Sequence, residues 1–245
     1  MTLQLLTSPT PNGQKISIFL SELHHPYTAT PISLSAGEQK HRDFLATNPN
    51  GRIPAIIDHA RSSFPVFESG AILLYLVEHY DKRHAFSFAD PNKHSEMVQW
   101  LFWQNAGLGP MQGQANHFVR YAPERIGYAV ERYQNEVKRL YAVLEARLEG
   151  REYLVGGDGG KYSVADISCF TWVRWAPWAG IDLEEFPRLR GWVERIEKRE
   201  AVQKGLKVPE GEDQIEKLRR DPNVDDPFKE WVQQGQREVA EKHGK

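Results

Sequence analysis

The sequence predicts an α/β domain followed by an all-helical one, and three observations carry that expectation. Over the first 80 residues short strand-like runs alternate with longer helix-like ones. After about residue 93 helical spacing repeats without strands, and a polar stretch from Asp81 to Asn92 separates the two regimes. The expected division is residues 1–86, residues 93–208, and a charged C-terminal extension at 209–245 with a short helix. A chain of 245 residues is long enough to bury a sizeable core in this arrangement.

In order along the chain, Leu3, Leu5 and Thr7 alternate as in a half-buried strand. Ser8-Pro9-Thr10-Pro11-Asn12-Gly13 ends it before Ile16, Phe19, Leu20 and Leu23 take helical spacing. Strands are expected at Tyr27 to Ile32, at Ala55 to Asp58 and, across a turn near Arg61-Ser62, at Val66-Phe67. A helix from Ser69 through Ile72, Leu73, Leu76 and Val77 completes a βαβ unit followed by ββα. Asp90-Pro91 starts the next helix, which carries Met97, Trp100, Leu101, Phe102 and Trp103 and is expected to be interrupted at Gly107-Leu108-Gly109-Pro110. Val130, Tyr133, Val137, Leu140, Tyr141, Leu144 and Leu148 draw one apolar stripe. Ser163 and Asp166 form a capping box opening the helix of Ile167, Phe170 and Val173, and Leu189, Trp192, Val193 and Ile196 mark another. In the extension, Asp226-Pro227 reads as N-cap and first residue of an amphipathic helix with Phe228, Trp231, Val232 and Val239.

Composition narrows the function classes. The 31 basic and 33 acidic residues leave a net charge of −2 with no basic stripe, so no nucleic-acid partner is expected. No apolar run approaches the roughly 20 residues that cross a bilayer, and no membrane partner is expected. A single cysteine, Cys169, permits no intrachain disulfide and fits a reducing compartment; with no secretory leader legible at the start, the cytoplasm is the expected location. Cys169 falls in an apolar helix and reads as a core residue. The nine histidines lack ligand spacing, and no metal site is expected.

Three segments carry possible chemistry. Ile53-Pro54 precedes an apolar strand, where it is either a cis bond that exposes the Ile53 backbone or a plain turn proline. Phe67-Glu68-Ser69-Gly70 turns strand into helix. Its free backbone N–H groups suit a carboxylate and Glu68 suits an ammonium, while an ordinary helix cap explains the same residues. Ser8, Thr10 and Asn12 offer hydroxyl and amide donors at another helix N-terminus, which stabilises an anion such as a thiolate, and they are equally good turn formers.

The order and spacing of Thr10-Pro11-Asn12-Gly13, Asn50-Gly51-Arg52-Ile53-Pro54-Ala55, Phe67-Glu68-Ser69-Gly70-Ala71-Ile72 and the Ser163 to Asp166 box resemble those of glutathione transferases. With Pro11-Asn12-Gly13 and the Gln-Trp-Leu-Phe-Trp-Gln segment at 99–104, the chain is similar to the bacterial nu-class and the fungal nitrogen-regulator-like members. The similarity covers about residues 1 to 205. It implies a thioredoxin-like N-terminal domain that binds glutathione, a helical C-terminal domain and a homodimer. It also assigns roles: Glu68 and Ser69 at the γ-glutamyl end, Ile53 before cis Pro54 against the cysteinyl backbone, and Gln39 and Arg52 near the remaining polar groups.

For catalysis, the tyrosine and cysteine that other classes use are absent from the first loop, and the resemblance implies Thr10 and Asn12 as thiolate donors, with Ser8 third. Lowering a thiol pKa of about 8.5 by about two units takes roughly 2.7 kcal/mol. Members with this asparagine loop lean toward reducing disulfides and peroxides with two glutathiones, with conjugation to electrophiles also open. Phe102, Trp103, His117, Phe118, Tyr121 and Trp172 are candidates for an acceptor pocket or for core packing. Arg132 is a candidate for a carboxylate of a second glutathione or a solvated helix face. The competing expectation is a non-catalytic regulatory or binding protein on the same fold.

Overall fold

Alternation along β1 (Leu3–Thr7) turns Leu3, Leu5 and Thr7 into the interior, as the period of two requires. The computed structural model describes residues 2–209, 211, 213–221, 224 and 229–243. Helix α1 (Pro11–Glu22) carries the chain to β2 (Tyr27–Pro31), which pairs in parallel with β1. β3 (Ala55–Asp58) pairs antiparallel with both β1 and β4 (Phe64–Phe67), giving the order β2-β1-β3-β4. Pro31 and Pro65 fall on the two edge strands, where a missing N–H is tolerated. α3 (Ser69–Tyr80) completes the thioredoxin-like unit.

The expected βαβ-ββα order is present with one addition, the short α2 (Arg42–Thr47), which buries only Phe44 and so leaves little periodic signal in the sequence. The polar stretch after α3 is an ordered fastening. The buried Asp81 carboxylate accepts from Ala85 N–H at 2.7 Å, Phe86 N–H at 2.9 Å and Ser87 Oγ at 2.7 Å.

Asp90 caps α4 (Pro91–Trp103) through Lys93 N–H, as its sequence position implies. The interruption expected at Gly107 to Pro110 is a change of helix type and not an end. The chain runs through a π turn (Gln104–Leu108) directly into α5 (Gly109–Asn116) and a second π turn (His117–Tyr121). Pro110 lies in the first turn of α5, directly after the π turn, and Gly109 answers to packing. A Cβ at Gly109 would lie 2.8 Å from Gln104 Nε2 and 3.3 Å from the Trp172 ring. α6 (Gly127–Arg147) and α7 (Val164–Val173) follow. Asp166 holds the predicted capping box and also accepts from Leu154 N–H and Trp192 Nε1 at 2.9 and 3.0 Å.

α8 (Pro187–Glu197) precedes α9 (Glu200–Gly205), α10 (Gln214–Arg220) and α11 (Lys229–His243). Among the described residues the extension thus holds two helices where the sequence reading expects a short one. The expected start at Asp226-Pro227 and the residue Phe228 lie outside the described residues, as does the Val239 side chain. Ile215 and Leu218 of α10 join Trp175 and Trp178 in a small apolar cluster. Asp213 anchors it by accepting from Arg174 Nη1 at 2.8 and 3.0 Å and from Gln14 Nε2 at 3.1 Å.

One hydrophobic cluster runs unbroken from Leu3 and Ile16 in the sheet domain to Trp192 and Leu206 in the helices. α1 lies at its centre, packed on α3, α7 and α9. Gly205 lets α9 touch α1 backbone to backbone: a Cβ there would stand 2.5 Å from Ile18 Cα and 2.6 Å from Ile18 N. Gly205→Ala is therefore expected to destabilise the protein by about 1–3 kcal/mol, lowering Tm by roughly 3–10 °C. Calorimetric unfolding with an unchanged Tm would contradict this contact.

Candidate functional site

The loop after β1 is shaped by close approach. A Cβ at Gly13 would fall 2.3 Å from Ser8 O and 2.4 Å from Thr7 Oγ1, so the loop can fold over α1 only at a glycine. Thr10 is the N-cap of α1, its Oγ1 accepting from Gly13 N–H at 3.2 Å, and the threonine proton has no acceptor among the described residues. Asn12 is half-buried in the first turn, and its Oδ1 accepts from Trp172 Nε1 at 3.0 Å. That bond fixes which way the amide faces and leaves the Nδ2 hydrogens without an acceptor among the described residues. Ser8 is different: its buried hydroxyl donates to Ile32 O at the end of β2, so its proton is committed within the chain. Ser8 holds the loop, whereas Thr10 and Asn12 present donors.

The second part of the site is the start of α3. Glu68 occupies its N-cap at φ 69°, in the left-handed region, and its side chain makes no capping bond. Such a conformation in a residue with a Cβ costs about 1–3 kcal/mol, and here it belongs to a residue whose exposed carboxylate makes no bond to the helix it begins. Glu68 thus supplies charge at the N-terminus of α3 without a side-chain cap bond. The first N–H groups of α3 are left at the positive end of its dipole, beside the buried Ser69 hydroxyl. Gly70 admits Asn105, whose Nδ2 would stand 2.6 Å from a Cβ at that position.

Between these parts the Ile53-Pro54 bond is cis, and Pro54 sits directly before β3. The Ile53 backbone has no hydrogen bond to the described residues, while Asn48 fixes the approach by donating from Nδ2 to Arg52 O at 2.6 Å. Arg52 itself is exposed. Gln39 is almost fully buried, and its Oε1 has no partner among the described residues. An orphaned buried acceptor of this kind fits an N–H donor from a bound ligand.

Lys15 and Trp172 tie these parts together. Lys15, one turn after Asn12, is fully buried and donates to Ser69 Oγ at 3.1 Å and Gln104 Oε1 at 2.5 Å. Desolvation lowers its pKa to about 7, against weaker opposing effects of Cys169 and Glu68. The sequence held a signal for it: Lys15 stands four residues before Phe19 on the apolar stripe of α1. Trp172 packs its ring against Gly109 and Gly113 and receives Gln112 Nε2 on its carbonyl at 2.7 Å. Among the seven acceptor candidates, Trp172 alone contacts Asn12 through a described bond.

The other six are spread out. Trp103 packs edge-on to Trp100 at 5.3 Å, and Phe118 stacks on Tyr133 at 5.5 Å. His117, its pKa lowered by burial, packs on Phe118 and meets Gln236 of α11. Tyr121 OH accepts from Trp178 Nε1, and its carbonyl accepts from Gln233 of α11. Phe102 is 64% exposed on α4, and Arg132 is exposed on α6 in a shallow groove with Tyr128, Glu131, Asn135, Glu136 and Arg139. Cys169 is fully buried, and burial raises its thiol pKa well above the ordinary value.

Comparison with known proteins gives two family matches. Residues 1–78 match the family described as Glutathione S-transferase, N-terminal domain, and residues 111–200 match Glutathione S-transferase, C-terminal domain. The chain is 45% identical over 208 residues to the disulfide-bond oxidoreductase YfcG of Escherichia coli (strain K12), covering 83% of this chain and 94% of that protein. Among solved structures, a glutathione transferase homolog from Lodderomyces elongisporus with two GSH per subunit superimposes with TM-score 0.81 at 40% identity, covering 85% of this chain and 99% of the other. The glutathione transferase URE2P6 from Phanerochaete chrysosporium, in complex with oxidized glutathione, gives TM-score 0.79 at 40% identity, with 83% and 94% covered.

Burial of Lys15 has a pH signature. The unfolded lysine titrates near 10.5 and the folded one near 7, so between those values the unfolded chain holds a proton that the folded protein lacks. This group's contribution to stability therefore rises with pH across that window, by up to about 1.4 kcal/mol per unit, and is flat below it. Relative to Lys15→Met, the ligand-free wild type is expected to gain about 1 kcal/mol per pH unit between pH 7.5 and 9.5 in denaturant titrations. A constant difference would contradict the buried, titrating ammonium.

Proposed function

Because the chain belongs to the glutathione S-transferase family, we propose that it is a glutathione-dependent disulfide reductase in which Asn12 and Thr10 hold the reacting sulfur as thiolate. The observation that carries this reading is the Trp172 to Asn12 bond, which orients a donor at the N-terminus of α1 before any ligand arrives. Each charge-assisted bond to the thiolate contributes about 1.5–3 kcal/mol, comparable with the roughly 2.7 kcal/mol needed for a two-unit pKa shift. The positive end of α1 adds to both.

Glutathione supplies the thiol chemistry. The first thiolate attacks one sulfur of the substrate disulfide and displaces the other as thiolate. A second glutathione thiolate then attacks the glutathionyl sulfur of the mixed disulfide, so two glutathione thiols become one glutathione disulfide and the substrate leaves as two thiols. The protein's part is ionisation and orientation. Glu68 pairs with the γ-glutamyl ammonium, and Ser69 with the α3 N–H groups takes its carboxylate. The free Ile53 backbone meets the cysteinyl unit, and the orphan Oε1 of Gln39 with the exposed Arg52 receives the remaining polar groups. Peroxide reduction and conjugation use the same thiolate and are secondary activities in this reading. In this reading the acceptor side is formed by Trp172 with His117, Phe118 and Tyr121, and the exposed Phe102 and Arg132 take no part in it.

A homodimer is part of the proposal, supported by aromatic exposure of 54% at Phe64 on edge strand β4 and 64% at Phe102 on α4. A reducing, cytoplasmic setting suits a glutathione enzyme whose sole cysteine is buried. No helix among the described residues is long and apolar enough to cross a membrane.

The test is an assay of purified protein with glutathione and bis(2-hydroxyethyl) disulfide, a hydroperoxide or an aromatic chloride. Disulfide reduction is expected to give the highest kcat/KM, with Cys169→Ala within about twofold of wild type and Asn12→Ala reduced about 10- to 100-fold. Loss of activity in a normally folded Cys169→Ala protein would show that a protein thiol does the chemistry.

A further inference from the structure

Lys15 is the only buried lysine among the described residues, and no carboxylate lies within ion-pair distance of it. Its two partners are neutral: Ser69 Oγ at the start of α3 and Gln104 Oε1 in the π turn, the latter also bonded by Ser168 of α7. The titratable groups that act on it are Cys169 on α7, a buried thiol kept protonated, and Glu68 at the junction of β4 and α3. An ammonium taken out of water without a counter-ion is a heavy penalty, which an apolar side chain of similar length would avoid. Its geometry shows where a counter-ion fits. When Lys15 is protonated its ammonium can only donate, so Ser69 Oγ then accepts from it and must direct its own proton elsewhere. Among the described residues that proton has only Asn105 Oδ1, at a long 3.4 Å.

We propose that Lys15 is a positioning residue for the γ-glutamyl carboxylate of glutathione: through Ser69 it supplies the buried positive charge that this carboxylate neutralises, so ligand binding draws a proton onto Lys15. The inference rests on the glutathione reading above. A carboxylate seated on Ser69 and the α3 N–H groups stands one hydroxyl away from Nζ and stabilises the protonated form. Because Lys15 and Asn12 share one turn of α1, protonation at the γ-glutamyl end and the donor at the sulfur end are held by the same backbone.

The probe is S-methylglutathione, which has no titratable thiol. Its binding is measured by calorimetry at pH 8 in buffers of different ionisation heat. Wild type is expected to take up about 0.5 to 0.9 proton per ligand, and its affinity to fall several-fold to tenfold per pH unit between pH 7.5 and 9. In Lys15→Met the uptake drops to whatever the ligand's own amine contributes, affinity at pH 7 falls at least several-fold, and the pH slope flattens while Tm is not lowered. Equal proton uptake in both proteins, or equal affinity at pH 7, overturns the role of Lys15. Wild type that binds with no proton uptake overturns it without reference to the variant. Wild type that fails to bind the probe at all overturns the glutathione reading and this inference with it.

Discussion

Helix α1 is buried on every side although it carries Gln14, Lys15 and Ser17, and the structure depends on each of these polar groups finding a partner outside the sheet domain. Gln14 bonds Asp213 and receives Trp175 Nε1; Lys15 bonds Gln104; Ser17 donates to Gly205 O at 2.7 Å. A buried polar group left without its partner costs about 1–3 kcal/mol. The helical half is therefore a condition for α1 being stable where it lies. The unbroken core across the two halves is the apolar expression of the same constraint.

That constraint also builds the site. Holding α1 by its polar face fixes the rotation of its first turn, so Asn12 meets Trp172 and Lys15 meets Ser69. In the proposed reading, both ends of the glutathione site are thereby set by a single rigid element. The remaining contacts come from backbone held open, at Ile53 and at the start of α3, where Glu68 stays in its left-handed conformation because β4 and α3 determine it from both sides. Arg174 extends the same logic to the C-terminal extension: its buried guanidinium is shared by Glu197, Asp213 and Glu216. Residues after 209 thus take part in seating α1, and through it the site.

What the sequence made legible was local. Alternation identified β1, Asp90-Pro91 and Ser163 to Asp166 marked helix starts, and the asparagine loop and Glu68-Ser69 stood out as the segments on which the proposed site is built. What escaped depends on contacts between residues far apart in the chain. Gly107 to Pro110 looked like a break because glycine and proline usually end helices, yet Gly109 answers to the Trp172 ring and Gln104. Ser8 looked like a third donor because nothing local shows that its hydroxyl reaches Ile32, 24 residues away. Trp172 appeared as a pocket aromatic, and its bond to Asn12 spans 160 residues. α10 was lost in a charged segment because only Ile215 and Leu218 bury apolar surface, against tryptophans that the sequence does not place beside them.

The central claim is that the first turn of α1 ionises the bound thiol. It is tested most directly by titrating the ultraviolet absorbance of the glutathione thiolate bound to the protein, in wild type, Asn12→Ala, Thr10→Ala and the double variant. The account predicts a bound thiol pKa of about 6.5 in wild type, higher by about one to two units in each single variant and higher still in the double variant. A titration that is the same in all four proteins would contradict it.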